Sequence, residues 1–187
     1  FFACVSYNAP HYPMHAPEHA MQRFAHLPWD RRVMAAMLSV MDDGVGAIVH
    51  ELEMQGTLDD TLIVFQSDNG PSRERRNWLD GTPDPYYGGT AGRLKGHKFS
   101  LYEGGIRVPA IVSWPAGIAG GRVVDEVGAG MDIVPTVLEA AGIDAAGYEL
   151  DGKSVLPMLA DGAPSPHDAL YWELAGQTAV RKGRWKL

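Results

Sequence analysis

Leu62-Ile63-Val64-Phe65 runs directly into Gln66-Ser67-Asp68-Asn69-Gly70. The apolar part is too short for a helix and follows the turn sequence Leu58-Asp59-Asp60-Thr61, so it reads as a buried strand. Its polar end is where the chain leaves the sheet. Upstream, Phe1-Phe2-Ala3-Cys4-Val5-Ser6-Tyr7 is a nearly continuous apolar run with aromatic ends. It reads as a central strand covered on both faces, the pattern of a parallel sheet flanked by helices. Between the two, Met34, Met37, Leu38, Met41, Val45, Ile48, Val49 and Leu52 recur at helical spacing and form one core-facing stripe. Trp29-Asp30 marks the start of that helix, with Asp30 as its cap, and Gly56 marks its end.

Downstream, Ile106 to Trp114 reads as a third strand, with Pro109 at its start or at a bulge. Asp132 is expected to cap a helix running to about Ala141, with Pro135 tolerated in the first turn and Gly142 as the stop. Beyond Gly142 the chain breaks into short segments punctuated by Gly152, Pro157, Gly162, Pro164 and Pro166. Ala169 to Glu173 and Thr178 to Arg181 read as short strands joined by Ala175-Gly176, and Trp185-Lys186-Leu187 begins another. The expected architecture is α/β, with residues 1–142 in one domain and 143–187 in a small, incomplete C-terminal subdomain. An apolar run with no turn before it, and a strand cut short at Leu187, read as the edges of a larger domain.

Composition excludes several classes. With 45% hydrophobic and 21% charged residues over 187, the chain is globular rather than disordered. A net charge of −7 disfavours nonspecific binding to nucleic acid or to an anionic membrane surface. Charge is uneven: Arg73 to Arg107 holds seven basic residues against four acidic, and Arg122 to Asp168 holds two against nine. A local basic patch in an acidic protein suits a small anionic substrate, and equally an ordinary mixed surface. No apolar run approaches the ~20 residues that cross a bilayer, so no membrane span is expected. The single cysteine, Cys4, cannot form an internal disulfide and is expected to be a buried small hydrophobe.

In an open α/β sheet, ligands gather outside the carboxyl ends of the strands. His11 follows the first expected strand, and Asp68-Asn69 follows the second. A carboxylate and an amide oxygen side by side suit a hard divalent cation such as Ca²⁺ or Mg²⁺. Asp-Asn-Gly is also a common turn sequence, and two donors do not complete a coordination sphere. Further on, Leu94-Lys95-Gly96-His97-Lys98-Phe99-Ser100-Leu101-Tyr102-Glu103-Gly104-Gly105-Ile106-Arg107-Val108-Pro109 places an ammonium among glycines, where it could approach a sulfate-like or phosphate-like oxyanion. The spacings of a P-loop, a zinc protease, a serine-hydrolase elbow and a dinucleotide fingerprint are all absent.

Taken together and in order, these segments resemble the sulfatase family. Tyr7-Asn8-Ala9-Pro10-His11-Tyr12-Pro13 with Ala16-Pro17 looks like its histidine loop. Thr61 to Phe65 with Ser67-Asp68-Asn69-Gly70 looks like its metal strand, and Leu94 to Pro109 like its lysine segment. Met131-Asp132-Ile133-Val134-Pro135-Thr136, Asp151-Gly152-Lys153-Ser154 and Val180-Arg181-Lys182-Gly183-Arg184-Trp185-Lys186 match later landmarks. The resemblance implies an alkaline-phosphatase-like α/β sandwich, built on a mixed, largely parallel sheet flanked by helices, with the start of a small C-terminal α+β subdomain.

The resemblance also implies roles. His11 and Lys98 would hold the sulfate oxygens, His11 near the leaving-group oxygen and Lys98 neutralising charge as the S–O bond breaks. Asp68 and Asn69 would ligate Ca²⁺, with Mg²⁺ less favoured. The plain alternatives are a loop-locking His11 and a solvated Lys98. Arg73, Arg75 and Trp78, with His97, are candidate substrate contacts, or simply surface. The implied reaction is hydrolysis of a sulfate ester, with a carbohydrate sulfate favoured over an aryl sulfate. Rival readings are a phosphoester or phosphonate hydrolase of the same superfamily and a non-catalytic, degenerate binding module. Cys4-Val5-Ser6-Tyr7-Asn8 lacks the Cys/Ser-x-Pro/Ala-x-Arg pattern that is converted to the family's formylglycine nucleophile. That nucleophile, the paired N-terminal aspartates and a second lysine-histidine pair are expected upstream of Phe1, in the missing N-terminal half of the domain. The 187 residues alone are therefore expected to be inert and to bind calcium poorly. By resemblance a periplasmic or extracellular location is favoured over a cytoplasmic one.

Overall fold

The structure is a computed structural model and describes residues 1–73 and 88–187. Strand β1, Ile63–Gln66, pairs with β2, Ala110–Ser113. The pairing is antiparallel, with Ile63 opposite Ser113 and Gln66 opposite Ala110. Strands β3 (Leu170–Leu174), β4 (Gln177–Lys182) and β5 (Trp185–Lys186) form a second sheet, antiparallel throughout. The expected largely parallel sheet is thus overturned. An apolar run of four residues reports burial, and burial alone cannot distinguish a strand entered by a crossover from one paired with a returning chain.

Phe1 to Tyr7 forms no strand. Phe1 is 95% and Phe2 75% exposed, and neither described sheet includes them. Apolar character is insufficient where no neighbouring strand supplies the ladder of N–H and C=O groups. Cys4 is exposed, with its Sγ 3.8 Å from Ser6 Oγ, rather than buried in a strand.

The chain divides into two units, Phe1–Glu51 with Asn69–Ile106, and Leu52–Asp68 with Arg107–Leu187. The first unit is organised on helices α1 (Glu18–Arg23) and α2 (Trp29–Met54). Its core joins Met14 to Val33 and Met37 of α2, with Ala9, Tyr12, Ala16, Met21 and Met34 packed around them. The α2 stripe is buried at Val33, Ala36 and Met37, but Leu38 and Ile48 are about two-fifths exposed. Helix α2 begins at Trp29, so Asp30 lies within the first turn, where its carboxylate favours the positive end of the helix dipole instead of capping it. By length and composition alone α2 could cross a bilayer, contrary to the sequence expectation. Its adjacent Asp42 and Asp43 oppose insertion at roughly 2.5–3.5 kcal/mol each, and its buried face already has the Met14 core to cover it. Gly44 accommodates Tyr7, because a Cβ there would meet the Tyr7 hydroxyl at 3.0 Å.

Also in the first unit, three glycines let backbone pack on backbone. Helix α3, Glu103–Ile106, lies against the loop that precedes it. A Cβ on Gly105 would sit 2.0 Å from the Ser100 carbonyl oxygen and 2.5 Å from that of His97, and one on Gly104 would sit 2.5 Å from the Gly96 oxygen. On the other side, a Cβ on Gly70 would sit 1.8 Å from the Gly104 oxygen. Hydrogen bonds fasten the contact: Gly70 N donates to Gly105 O at 2.9 Å, and Gly104 N donates to Lys95 O at 2.6 Å.

The second unit is built around a buried carboxylate. Asp132 is 1% exposed, and its oxygens accept from Ala129 N at 2.7 Å, Lys153 N at 2.9 Å and His167 Nε2 at 2.8 Å. Three donors from three chain segments satisfy it, as a buried charge requires. Asp132 does not cap α4 (Ile133–Ala140) with its side chain. Thr136 Oγ1 continues the network, donating to Asp132 O at 2.6 Å and accepting from Val155 N at 3.0 Å. Helix α5 (Leu156–Asp161) ends on Gly162 at φ 74°. The β3–β4 hairpin turns through Ala175 and Gly176 at φ 48° and 78°, the left-handed pair of a tight hairpin turn.

Three stability outcomes follow from this packing. Asp132→Ala leaves His167 and two part-buried amides without their acceptor and is expected to cost about 3–5 kcal/mol in urea unfolding; a loss below about 1 kcal/mol would contradict the network. Gly105→Ala is expected to lose about 1–3 kcal/mol through backbone overlap. Gly46→Ala, in α2 with nothing within 4 Å of the place a Cβ would take, should gain about 0.5–1 kcal/mol.

Candidate active site

The chemistry-bearing residues of the first unit lie on two loops. The first is Asn8 to Pro13, where His11 N donates to Asn8 O at 2.8 Å and both Ala9–Pro10 and Tyr12–Pro13 are cis. Tyr12 packs against the Met14–Val33–Met37 core, which ties the loop to α2. The His11 ring stacks at a tilt on Tyr12, with centroids 4.3 Å apart. His11 Nδ1 is 2.8 Å from Tyr12 O. A carbonyl oxygen can only accept, so Nδ1 carries the proton in this pairing and Nε2 presents its lone pair.

The second loop runs from Leu94 to α3. Lys98 N donates to Pro71 O at 2.9 Å, and Ser100 N to His97 O at 3.0 Å. These bonds, with the glycine contacts, fix both sides of Lys98. Its ammonium then reaches His11, with Nζ 3.2 Å from Nε2 across 87 positions of sequence. The lysine donates and the imidazole accepts. An ammonium has three donors, so one directed at His11 leaves two for an anion. His97 is half-buried, and its Nδ1 donates to Lys98 O at 2.6 Å. It braces the lysine backbone, a relation its position beside Lys98 did not reveal.

The glycines near Lys98 act differently from the sequence expectation. Gly96, at φ 95°, has no room for a Cβ, which would meet Ser100 Oγ at 2.6 Å and Tyr102 Cβ at 2.7 Å. They allow the loop to fold on itself, rather than clearing space for an oxyanion. Lys95 is occupied with an aromatic face, its Nζ 4.0 Å from the Tyr102 ring centroid.

Asp68 is exposed and Asn69 half-buried, consecutive residues beyond β1. Asn69 Nδ2 donates to Gly70 O at 2.9 Å, which orients the amide. A carboxylate and an amide oxygen fit the hard-cation chemistry, while Ca²⁺ takes six to eight oxygen ligands. Among the described residues, no group of three or more His, Cys, Asp or Glu is arranged to hold a metal ion. Arg73 is exposed; Arg75 and Trp78 lie outside the described residues. Phe99, unassigned by sequence reasoning, adjoins Lys98 with its ring centroid 5.2 Å from Nζ.

Comparison with known proteins places the chain in one family. The sulfatase family model matches residues 1–143. Human arylsulfatase A is 31% identical over 192 residues, covering 100% of this chain and 35% of its own. Mouse steryl-sulfatase is 38% identical over 133 residues, covering 70% of this chain and 21% of its own. The crystal structure of Ps i-CgsB in complex with k-i-k-neocarrahexaose superposes with a TM-score of 0.78 at 31% identity, covering 96% of this chain and 39% of that one. This chain therefore spans about a third of the length of the first curated relatives it matches. A histidine loop and a lysine loop joined at 3.2 Å, within a match to the family model from residue 1 to 143, make this chain a member of the sulfatase family.

Proposed function

We propose that these residues serve sulfate-ester hydrolysis in a complete enzyme, releasing an alcohol and inorganic sulfate. The observation that carries the reading is the 3.2 Å contact between Lys98 Nζ and His11 Nε2. It sets a lysine ammonium beside a ring nitrogen, with the ring's other nitrogen held from behind by Tyr12 O. A sulfate group entering this corner meets the Lys98 ammonium, which neutralises charge as the bond to the bridging oxygen lengthens. To approach that oxygen His11 must carry a proton on Nε2, giving up the hydrogen bond it accepts from Lys98 and donating to the ester instead. His97 holds the lysine backbone in place, so the ammonium need not reorganise during the reaction.

Asp68 and Asn69 are this chain's share of a calcium site, with magnesium less suited. The cation, held by Asp68 and Asn69 with further ligands, would supply positive charge for binding an anionic ester. The formylglycine nucleophile and the remaining ligands are supplied from outside these residues, since Cys4 lacks the sequence pattern for conversion. Residues 1–142 belong on this reading to the catalytic domain, and 143–187 to a C-terminal subdomain. A carbohydrate sulfate is the favoured substrate class, supported by the oligosaccharide bound to the 31%-identical Ps i-CgsB. Arg73, Arg75 and Trp78 are proposed contacts for its sugar, and a location outside the cytoplasm accompanies the family assignment.

In the complete enzyme, Lys98→Ala and His11→Ala should each lower kcat by about 10²–10³-fold on a sulfated monosaccharide, as measured by released sulfate. Turnover of the matched phosphate ester in preference to the sulfate would shift the assignment to a phosphoester hydrolase. The 187-residue chain by itself should release no sulfate. Sustained turnover by the purified chain would show that its own residues complete the machinery.

A further inference from the structure

Phe99 is a backbone outlier in the lysine loop. Its φ is 69°, in the left-handed region that side chains rarely adopt. Holding a bulky aromatic there is a strained arrangement, and glycine would occupy the position without that strain. Burial does not offset it, since the residue is 61% exposed. The neighbouring residues impose the conformation through the Lys98–Pro71, Ser100–His97 and His97–Lys98 hydrogen bonds. The Lys98 ammonium lies 5.2 Å from the ring centroid, and at an exposed site such a contact is too weak to hold the backbone by itself.

A solvent-facing aromatic ring and a fixed ammonium thus stand side by side at one corner, with His11 on the same ammonium. One ligand chemistry uses both: an anionic group on the cation, attached to a body with an apolar face for the ring. We propose that Phe99 is a specificity-determining residue, its ring receiving the C–H face of the sugar whose sulfate group sits on Lys98 and His11. This rests on the sulfate-ester reading and adds to it the part of the site that recognises the alcohol. Phe99 would bind the leaving group and leave the sulfate contacts alone.

The test uses the complete enzyme, with the dissociation constants of inorganic sulfate and, separately, of glucose 6-sulfate read from their competition with a chromogenic sulfate ester, and a thermal melt for every variant. Phe99→Gly should weaken glucose 6-sulfate about five- to tenfold, consistent with one stacking contact. It should leave the sulfate dissociation constant unchanged and should not lower the Tm, because glycine relieves the positive φ. Phe99→Trp should keep the wild-type affinity for glucose 6-sulfate. Equal weakening of both titrants by Phe99→Gly would overturn the inference, placing Phe99 among the groups that position Lys98. Unchanged affinity for glucose 6-sulfate would also overturn it, as would a lowered Tm with no rescue by tryptophan. Lys98→Ala separates the two levels: it should weaken both titrants. If it weakens neither, or if neither titrant binds the wild-type complete enzyme, the sulfate reading itself fails, and the role of Phe99 falls with it.

Discussion

Backbone packed on backbone at Gly70, Gly104 and Gly105 is the constraint on which the lysine loop depends. The van der Waals limit leaves no space for even a methyl group, with contacts of 1.8 and 2.0 Å to carbonyl oxygens for Cβ atoms at Gly70 and Gly105. Such proximity makes the amides of Gly70 and Gly104 available to carbonyls they could not otherwise reach. The loop from Lys95 to Ser100 is thereby held from both ends. A long, flexible side chain loses much rotamer entropy when it is positioned, so fixing the Lys98 backbone leaves only the side chain to be ordered.

The electrostatics follow from that placement. Lys98 could extend into solvent in many directions, but the loop brings it to an imidazole whose other nitrogen is already committed to a carbonyl. The result is a directional pair, donor against acceptor. His97 contributes through its neighbour's carbonyl, so two adjacent residues of opposite apparent promise divide the work between charge and support. The strained Phe99 fits the same logic, since framework bonds on either side hold a conformation that its exposed ring would not choose.

The second unit shows a contrasting use of charge. Asp132 is more deeply buried than any described candidate site residue, yet its oxygens accept from two backbone amides and His167. A carboxylate with three such donors holds three segments together. Sequence periodicity placed Asp132 at a helix start, where capping is the usual expectation. Its partners Lys153 and His167 are separated from it by other elements, and no local pattern announces them.

Much of the fold and part of the site are legible in the residues. Apolar periodicity marks α2, the sequence around Ala175-Gly176 marks the hairpin, and the ordered motifs from Tyr7 to Lys186 mark the family, because each depends on neighbours near in sequence. His11, Asp68, Asn69 and Lys98 are identifiable as candidates on the same grounds. Strand direction is different: β1 meets β2 only after a long intervening stretch of chain, and an apolar run carries no sign of whether its partner runs with or against it. The exposure of Phe1 and Phe2, the bracing role of His97, the purpose of Gly70, Gly104 and Gly105, and the left-handed Phe99 were likewise decided by tertiary contact. Side-chain identity determines which groups can donate, accept or pack; only the closed chain determines which of them come within hydrogen-bonding reach.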